Sequence, residues 1–173
     1  MLVIDDEKKF GIMWEVLCKG DSDSYQFYYG TMMFIIGDEV LPKKLTYNYT
    51  LDVIFSHLKK SFLKPYYPAG KTSDELGSIP VDIKKLSYGE IPNVCDIETA
   101  EIGMAYTGFD GYGGVQLSLA YSGESERLFY SEDNGNTFRE LVLQKGTVES
   151  VINQLPNRTQ LEAQLQHQSS FNK

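Results

Sequence analysis

Phe10-Gly11-Ile12-Met13-Trp14-Glu15-Val16-Leu17-Cys18 is the stretch that decides the fold. Phe10, Ile12, Trp14, Val16 and Cys18 alternate with the residues between them, the two-residue period of a strand with one face in a core. Gly20 and the polar residues through Ser24 break the run. Tyr25 to Ile36 resumes it, rich in aromatic and β-branched side chains and interrupted by Gly30. Gly37, Asp38 and Glu39 read as a tight turn, and Pro42 marks an edge because proline has no N–H to give a ladder. The N-terminal third is therefore expected to be a meander.

Leu51, Ile54, Phe55, Leu58 and Phe62 recur at helical spacing behind a cap at Thr50, and Pro65 closes the segment. Residues 64–92 hold Pro65, Pro68, Gly70, Gly77, Pro80, Gly89 and Pro92. That stretch reads as loop with one short element near Val81–Leu86, either packed on the body or mobile. Strand patterns return at Ile102, Met104 and Tyr106, then over Val115–Tyr121, Arg127–Tyr130 and Thr137–Leu143, joined by short polar turns. Val148, Val151, Ile152 and Leu155 form a helical stripe that starts at Gly146–Thr147 and stops at Pro156. Thr159 and Glu162 have capping-box spacing and open a last polar helix. With only Leu161 and Leu165 to bury, that helix is expected to fray or dock loosely. The fold class is α+β, a largely antiparallel sheet with two or three packed helices. The expected division is one domain over 1–158 and a polar C-terminal helix or tail over 159–173.

The chain's 173 residues are 42% hydrophobic and 13% aromatic, enough for a real core and against global disorder. A sequence pI near 4.8 argues against a nucleic-acid or anionic-membrane surface, although eleven of the sixteen bases lie at or before Lys85 and leave room for a local basic patch. Met1 to Lys9 has no basic stretch followed by a long apolar run, and the run Met32–Ile36 is too short to span a bilayer. A cytoplasmic location is expected, with Cys18 and Cys95 as reduced thiols and Cys18 in a strand core.

Charge is unevenly placed. Asp96, Glu98, Glu101, Asp110, Glu124, Glu126, Glu132 and Asp133 face a single base, Arg127, so this segment carries seven of the chain's eight net negative charges. Tyr106, Phe109, Tyr112, Tyr121, Phe129 and Tyr130 are interleaved with the acids. A one-sign field speeds encounter with a partner of opposite sign, and aromatic anchors inside a charged rim supply binding energy. Glu98, Glu101, Asp110, Tyr112, Tyr121, Glu124, Glu126, Glu132 and Asp133 are the residues expected at such a surface. Solvated turn carboxylates that only keep the chain soluble are the plain alternative.

The motifs point away from catalysis. Ser131, Asp133, Gly135, Thr137 and Phe138 match S-x-D-x-G-x-T-[WF], the Asp-box pattern of sialidase propellers. One copy cannot make a propeller of repeated blades, so a hairpin turn is expected. Phe109-Asp-Gly111-Tyr-Gly113-Gly114 resembles a phosphate loop, but a strand follows where such a loop needs a helix N-terminus. His57 and His167 lack partners at metal-ligand or catalytic-motif spacing. Glu124 with Glu126, or Asp21 with Asp23, are carboxylate pairs of the kind glycosidases use, yet they are read as sitting in hairpin turns, where solvated acids are ordinary. No catalytic residue, metal or cofactor is expected. A small hydrolase using clustered carboxylates or His57, and a non-catalytic scaffold, remain the rival classes.

Three segments resemble the immunity protein 42 family, bacterial proteins that neutralise polymorphic toxins. Phe10-Gly-Ile-Met-Trp-Glu15 is similar to its first strand. Tyr28 to Gly37, followed by Thr50 to Leu58, is similar to its second and third elements. Glu126 to Ser131, through Lys145 to Asn153, resembles its closing hairpin and helix. The resemblance implies a cytosolic antitoxin that binds and blocks the toxin C-terminal domain of a contact-dependent inhibition system, with no catalytic residues. Many such toxins are nucleases with basic surfaces, so the implied partner is a basic toxin domain, not nucleic acid or membrane.

Overall fold

A computed structural model describes residues 1–21, 26–43, 49–63, 75–87, 89–99, 115–133 and 135–171. It has the expected α+β class, with antiparallel pairing in two sheets and four helices among the described residues. Sheet A runs β1 (Leu2–Ile4), β2 (Phe10–Lys19), β3 (Tyr28–Ile36), β4 (Glu39–Leu41), and the short β5 (Tyr49–Thr50) also pairs with β3. The N-terminal meander is present. Its first turn is held by Asp5, whose carboxylate accepts the N–H groups of Glu7, Lys9 and Phe10.

Phe10, Ile12, Trp14, Val16, Tyr28, Met32, Phe34 and Ile36 form the buried face of sheet A. Helix α1 (Leu51–Ser61) lies on it through Leu51, Ile54, Phe55 and Leu58, and the Trp14 and Phe55 rings meet edge to face at 5.7 Å. Thr50 stands at the helix N-terminus without a side-chain capping bond. Gly30 permits the close approach. A Cβ there would lie 2.0 Å from the Glu15 carbonyl oxygen and 2.7 Å from Leu51 Cδ1.

The alternation in β2 ends one residue earlier than its sequence suggests. The β2–β3 register shifts between Val16 and Cys18, leaving Leu17 as the extra residue of a bulge. Cys18 then pairs with Tyr29, so it stands on the opposite face and is exposed. The expectation of a core cysteine is corrected by that bulge.

Sheet B runs β6 (Cys95–Ile97), β7 (Gln116–Ser122), β8 (Ser125–Ser131), β9 (Arg139–Gln144). Leu117, Leu119, Tyr121, Leu128, Tyr130 and Leu143 join the same core as sheet A, α1 and α3 (Thr147–Asn153). Its other face carries a second cluster in which Ala120, Phe129 and Phe138 meet Leu76 and Leu86. The described part of the Pro/Gly-rich stretch, including α2 (Ile83–Ser87), is therefore an excursion packed on the body. Arg127 anchors it. The guanidinium binds Glu140 at 2.6 and 3.0 Å and donates to the carbonyls of Gly77 and Ile79 at 2.9 and 2.7 Å.

Helix α4 (Arg158–Phe171) differs from the loose tail expected. Its capping box is Asn157 with Gln160, each backbone N–H donating to the other's side-chain oxygen, two residues before the spacing read at Thr159 and Glu162. Leu161 is fully buried, Leu165 packs on the core, and Gln164 Oε1 accepts the Trp14 indole N–H at 3.1 Å. Docking succeeds with few apolar residues because the polar ones find partners on sheet A and on the segment that leads into β3. Glu162 pairs with Lys19, and Arg158 donates to the Gln26 carbonyl.

Candidate functional site

The acidic hairpins of sheet B are built from two turns. Gly123 and Glu124 make the two-residue β7–β8 loop, with Gly123 at φ +58°. Glu75 holds that loop from outside, accepting the Gly123 N–H at 2.8 Å and pairing with Lys145 at 3.0 Å. The Gly123 N–H, then Lys145, hold the Glu75 carboxyl below its ordinary range. Glu124 projects at the tip and is exposed.

The Asp-box segment forms the other turn. Ser131 Oγ bonds to Asp133 Oδ1 at 2.7 Å and accepts the Gly135 N–H at 2.9 Å. Asp133 also accepts the Thr137 N–H and hydroxyl, Gly135 sits at φ +80°, and Phe138 is buried beneath. Desolvation pushes the Asp133 carboxyl up, but bonds from Thr137 and Ser131 outweigh it and leave the group below its ordinary range. The motif is a structural turn here, held together by its own acid.

Glu126 is fully buried. It accepts the N–H groups of Gly146 and Val148 at 2.8 and 2.7 Å, occupying the N-terminus of α3 where carboxylates are favoured. Burial nonetheless raises its pKa above the ordinary glutamate value, against the pull of the Val148 and Gly146 N–H groups. Tyr121 is buried too, with the Lys145 ammonium 4.7 Å from its ring centre. Both side chains are buried in the free chain.

The other acids are dispersed. Glu132 lies 2.8 Å from Lys43 and 3.9 Å from Arg139, which also pairs with Glu39. Glu98 donates its backbone N–H to Ser61 Oγ at 2.8 Å, near the end of α1. Glu124 and Glu132 flank opposite ends of β8, which is itself about 20 Å long at roughly 3.4 Å per residue. Glu101, Asp110 and Tyr112 lie outside the described residues, as do Ile102, Met104 and Tyr106. Within the described residues, the sequence cluster is thus not one patch. Linear charge density missed the bases that long-range pairing supplies.

Among the described residues no group of three or more His, Cys, Asp or Glu could hold a metal ion. His57 and His167 are both exposed, His57 on α1 and His167 on α4. No described helix is long and apolar enough to cross a membrane.

A sequence model of immunity protein 42 matches residues 1–158, all of both sheets and α1 to α3. The chain belongs to the immunity protein 42 family. It is accordingly an immunity protein against a toxin. The match ends at the first residue of α4, although α4 is packed on sheet A. No curated protein and no solved structure matches the chain.

Proposed function

We propose that this immunity protein is a stoichiometric antitoxin that acts by binding alone. Its partner is the C-terminal toxin domain of a contact-dependent growth inhibition system, a basic nuclease met in the cytoplasm. The observation that carries the finer part is charge. A family member with a formal net charge of −8 suits a toxin whose surface is built for phosphate backbones. Exposed acids such as Glu124, with Glu98, Glu132 and Asp133 at the sheet margins, contribute to the field that draws that toxin in. Glu101, Asp110 and Tyr112 belong to the same proposed surface.

Two mixing experiments test this. The toxin domain encoded beside this chain is expected to cleave nucleic acid alone and to stop when mixed with the protein. The association rate is expected to fall as salt is raised, since screening shortens to about 8 Å at physiological ionic strength. A toxin that cleaves no nucleic acid overturns the nuclease assignment, and a salt-independent rate removes electrostatic steering.

A further inference from the structure

Among the described residues, the side of sheet A away from the helices is largely apolar and partly exposed, with Met13, Met33 and Ile35 half-buried and Thr31 buried. Pairing sets Leu2 opposite Met13, Met13 opposite Met33, and Ile35 opposite Val40, so these side chains share one face with Leu17. Leu2, Leu17 and Val40 are 52%, 44% and 41% exposed. Antiparallel sheets with one wet face normally alternate apolar and polar residues. Here β2 and β3 carry apolar side chains on both faces, although packing against the helices requires only one.

At strand spacings of about 4.8 Å and rises of about 3.4 Å per residue, the patch spans about 14 by 20 Å. That is less than the roughly 800 Å² each partner contributes to a standard interface, and it fits the dehydrated centre of one. The β1–β2 and β3–β4 turns border one end, bringing Asp5, Asp6, Glu7 and Asp38 together with Lys8 and Lys9.

Glu15 stands in the middle of this face, on a central strand between Met13 and Leu17 and across from Thr31. It is exposed, and no described cation pairs with it. A two-fold contact between copies of the chain centred here would bring two Glu15 carboxylates together in a drying interface, which is costly without a counter-charge. A partner that offers an apolar patch and one lysine or arginine satisfies both features of the face.

We propose that the toxin seats on this face of sheet A, placing a basic side chain against Glu15 and apolar side chains over Met13, Leu17, Met33 and Val40. This rests on the antitoxin role above and deepens it by naming the contact surface. The acidic margins of sheet B then act on encounter, while sheet A holds the complex.

The probe is the neighbouring toxin domain carrying an inactivating substitution. Cys18 shares this face and is exposed, whereas Cys95 lies on sheet B, so alkylation followed by peptide mapping reads the face in the unmutated protein. Saturating toxin is expected to slow Cys18 labelling at least ten-fold. Glu15→Lys, and Leu17→Asp with Val40→Asp, are expected to weaken binding by about 30-fold or more, as losses at interface centres do. Val142→Asp and Ile79→Asp alter equally exposed apolar side chains elsewhere and are expected to leave affinity within about three-fold. Cys18 labelled at its free rate in the saturated complex overturns the seat, even if a variant fails to fold. Tight binding by folded Glu15→Lys does the same, and in either case the antitoxin role stands. Self-association of the wild type that Leu17→Asp abolishes, with toxin affinity unchanged, assigns the face to a homodimer and also overturns the seat. A wild-type protein that binds no toxin overturns both proposals.

Discussion

Leu161→Ala tests whether α4 is a structural part of the domain. Leu161 is fully buried at the foot of α4, in the core that also holds Trp14 and Phe55. Truncating a buried leucine to alanine costs about 2–5 kcal/mol, depending on how far the cavity collapses. Removing residues 158–173 strips the whole Leu161 side chain, worth about 1.5–3 kcal/mol of burial. It also takes Gln164 from the Trp14 indole, whose unpaired N–H costs up to about 1–3 kcal/mol unless water reaches it. The surface pair Lys19–Glu162 adds little. Truncation is therefore expected to cost about 3–5 kcal/mol, a large part of the roughly 5–15 kcal/mol a domain has. Urea denaturation of the wild type, Leu161→Ala and the chain ending at Asn157 measures this directly. A truncated chain within about 1 kcal/mol of wild type refutes the docking of α4.

Glu126→Gln keeps one acceptor for two N–H donors at the start of α3 and is expected to destabilise by about 1–3 kcal/mol. Because burial raises the folded Glu126 pKa, the folded state holds the proton more tightly than the unfolded state. The wild type's advantage over Glu126→Gln is then greatest below the ordinary glutamate range and shrinks as pH rises through the raised value; denaturation at several pH values checks the sign. Arg127→Lys loses the planar fork that binds Glu140, Gly77 and Ile79, so limited proteolysis is expected to cut the 75–94 excursion faster than in wild type. Glu124→Lys, at an exposed hairpin tip, is expected to slow toxin association at low salt and to match wild type at high salt, as stopped-flow mixing would show.

Local pattern carried most of the fold. The β2 and β3 alternation, the α1 stripe, the α3 stripe and the Asp-box hairpin each rest on contacts close in sequence, and each appears where its period places it. Strands of two or three residues, β1, β4, β5 and β6, are too short to show a period. The bulge at Leu17 turned Cys18 outward by a register shift that only pairing with β3 reveals. Helix α4 looked dispensable because its anchor, Trp14, lies far off in the chain.

The site was less legible than the fold. Of the acidic run in sequence, Glu132 meets Lys43 and Arg139 across the structure, and Glu126 is buried against the start of α3. Glu126 looked like a turn acid, but the N–H groups that hold it belong to a helix beginning twenty residues later. The partly exposed face of sheet A had a readable signal that alternation obscured. Met13, Leu17, Met33 and Ile35 occupy the supposedly wet positions of β2 and β3, so both sides of these strands are apolar.

The most direct test is a titration of active toxin with this protein at concentrations far above the dissociation constant. Inhibition by binding alone gives a linear fall in toxin activity that reaches zero at one equivalent, and full activity returns when denaturant separates the pair and the toxin is refolded. Complete inhibition at a small fraction of an equivalent, or toxin recovered chemically altered, would instead show turnover and contradict the antitoxin mechanism.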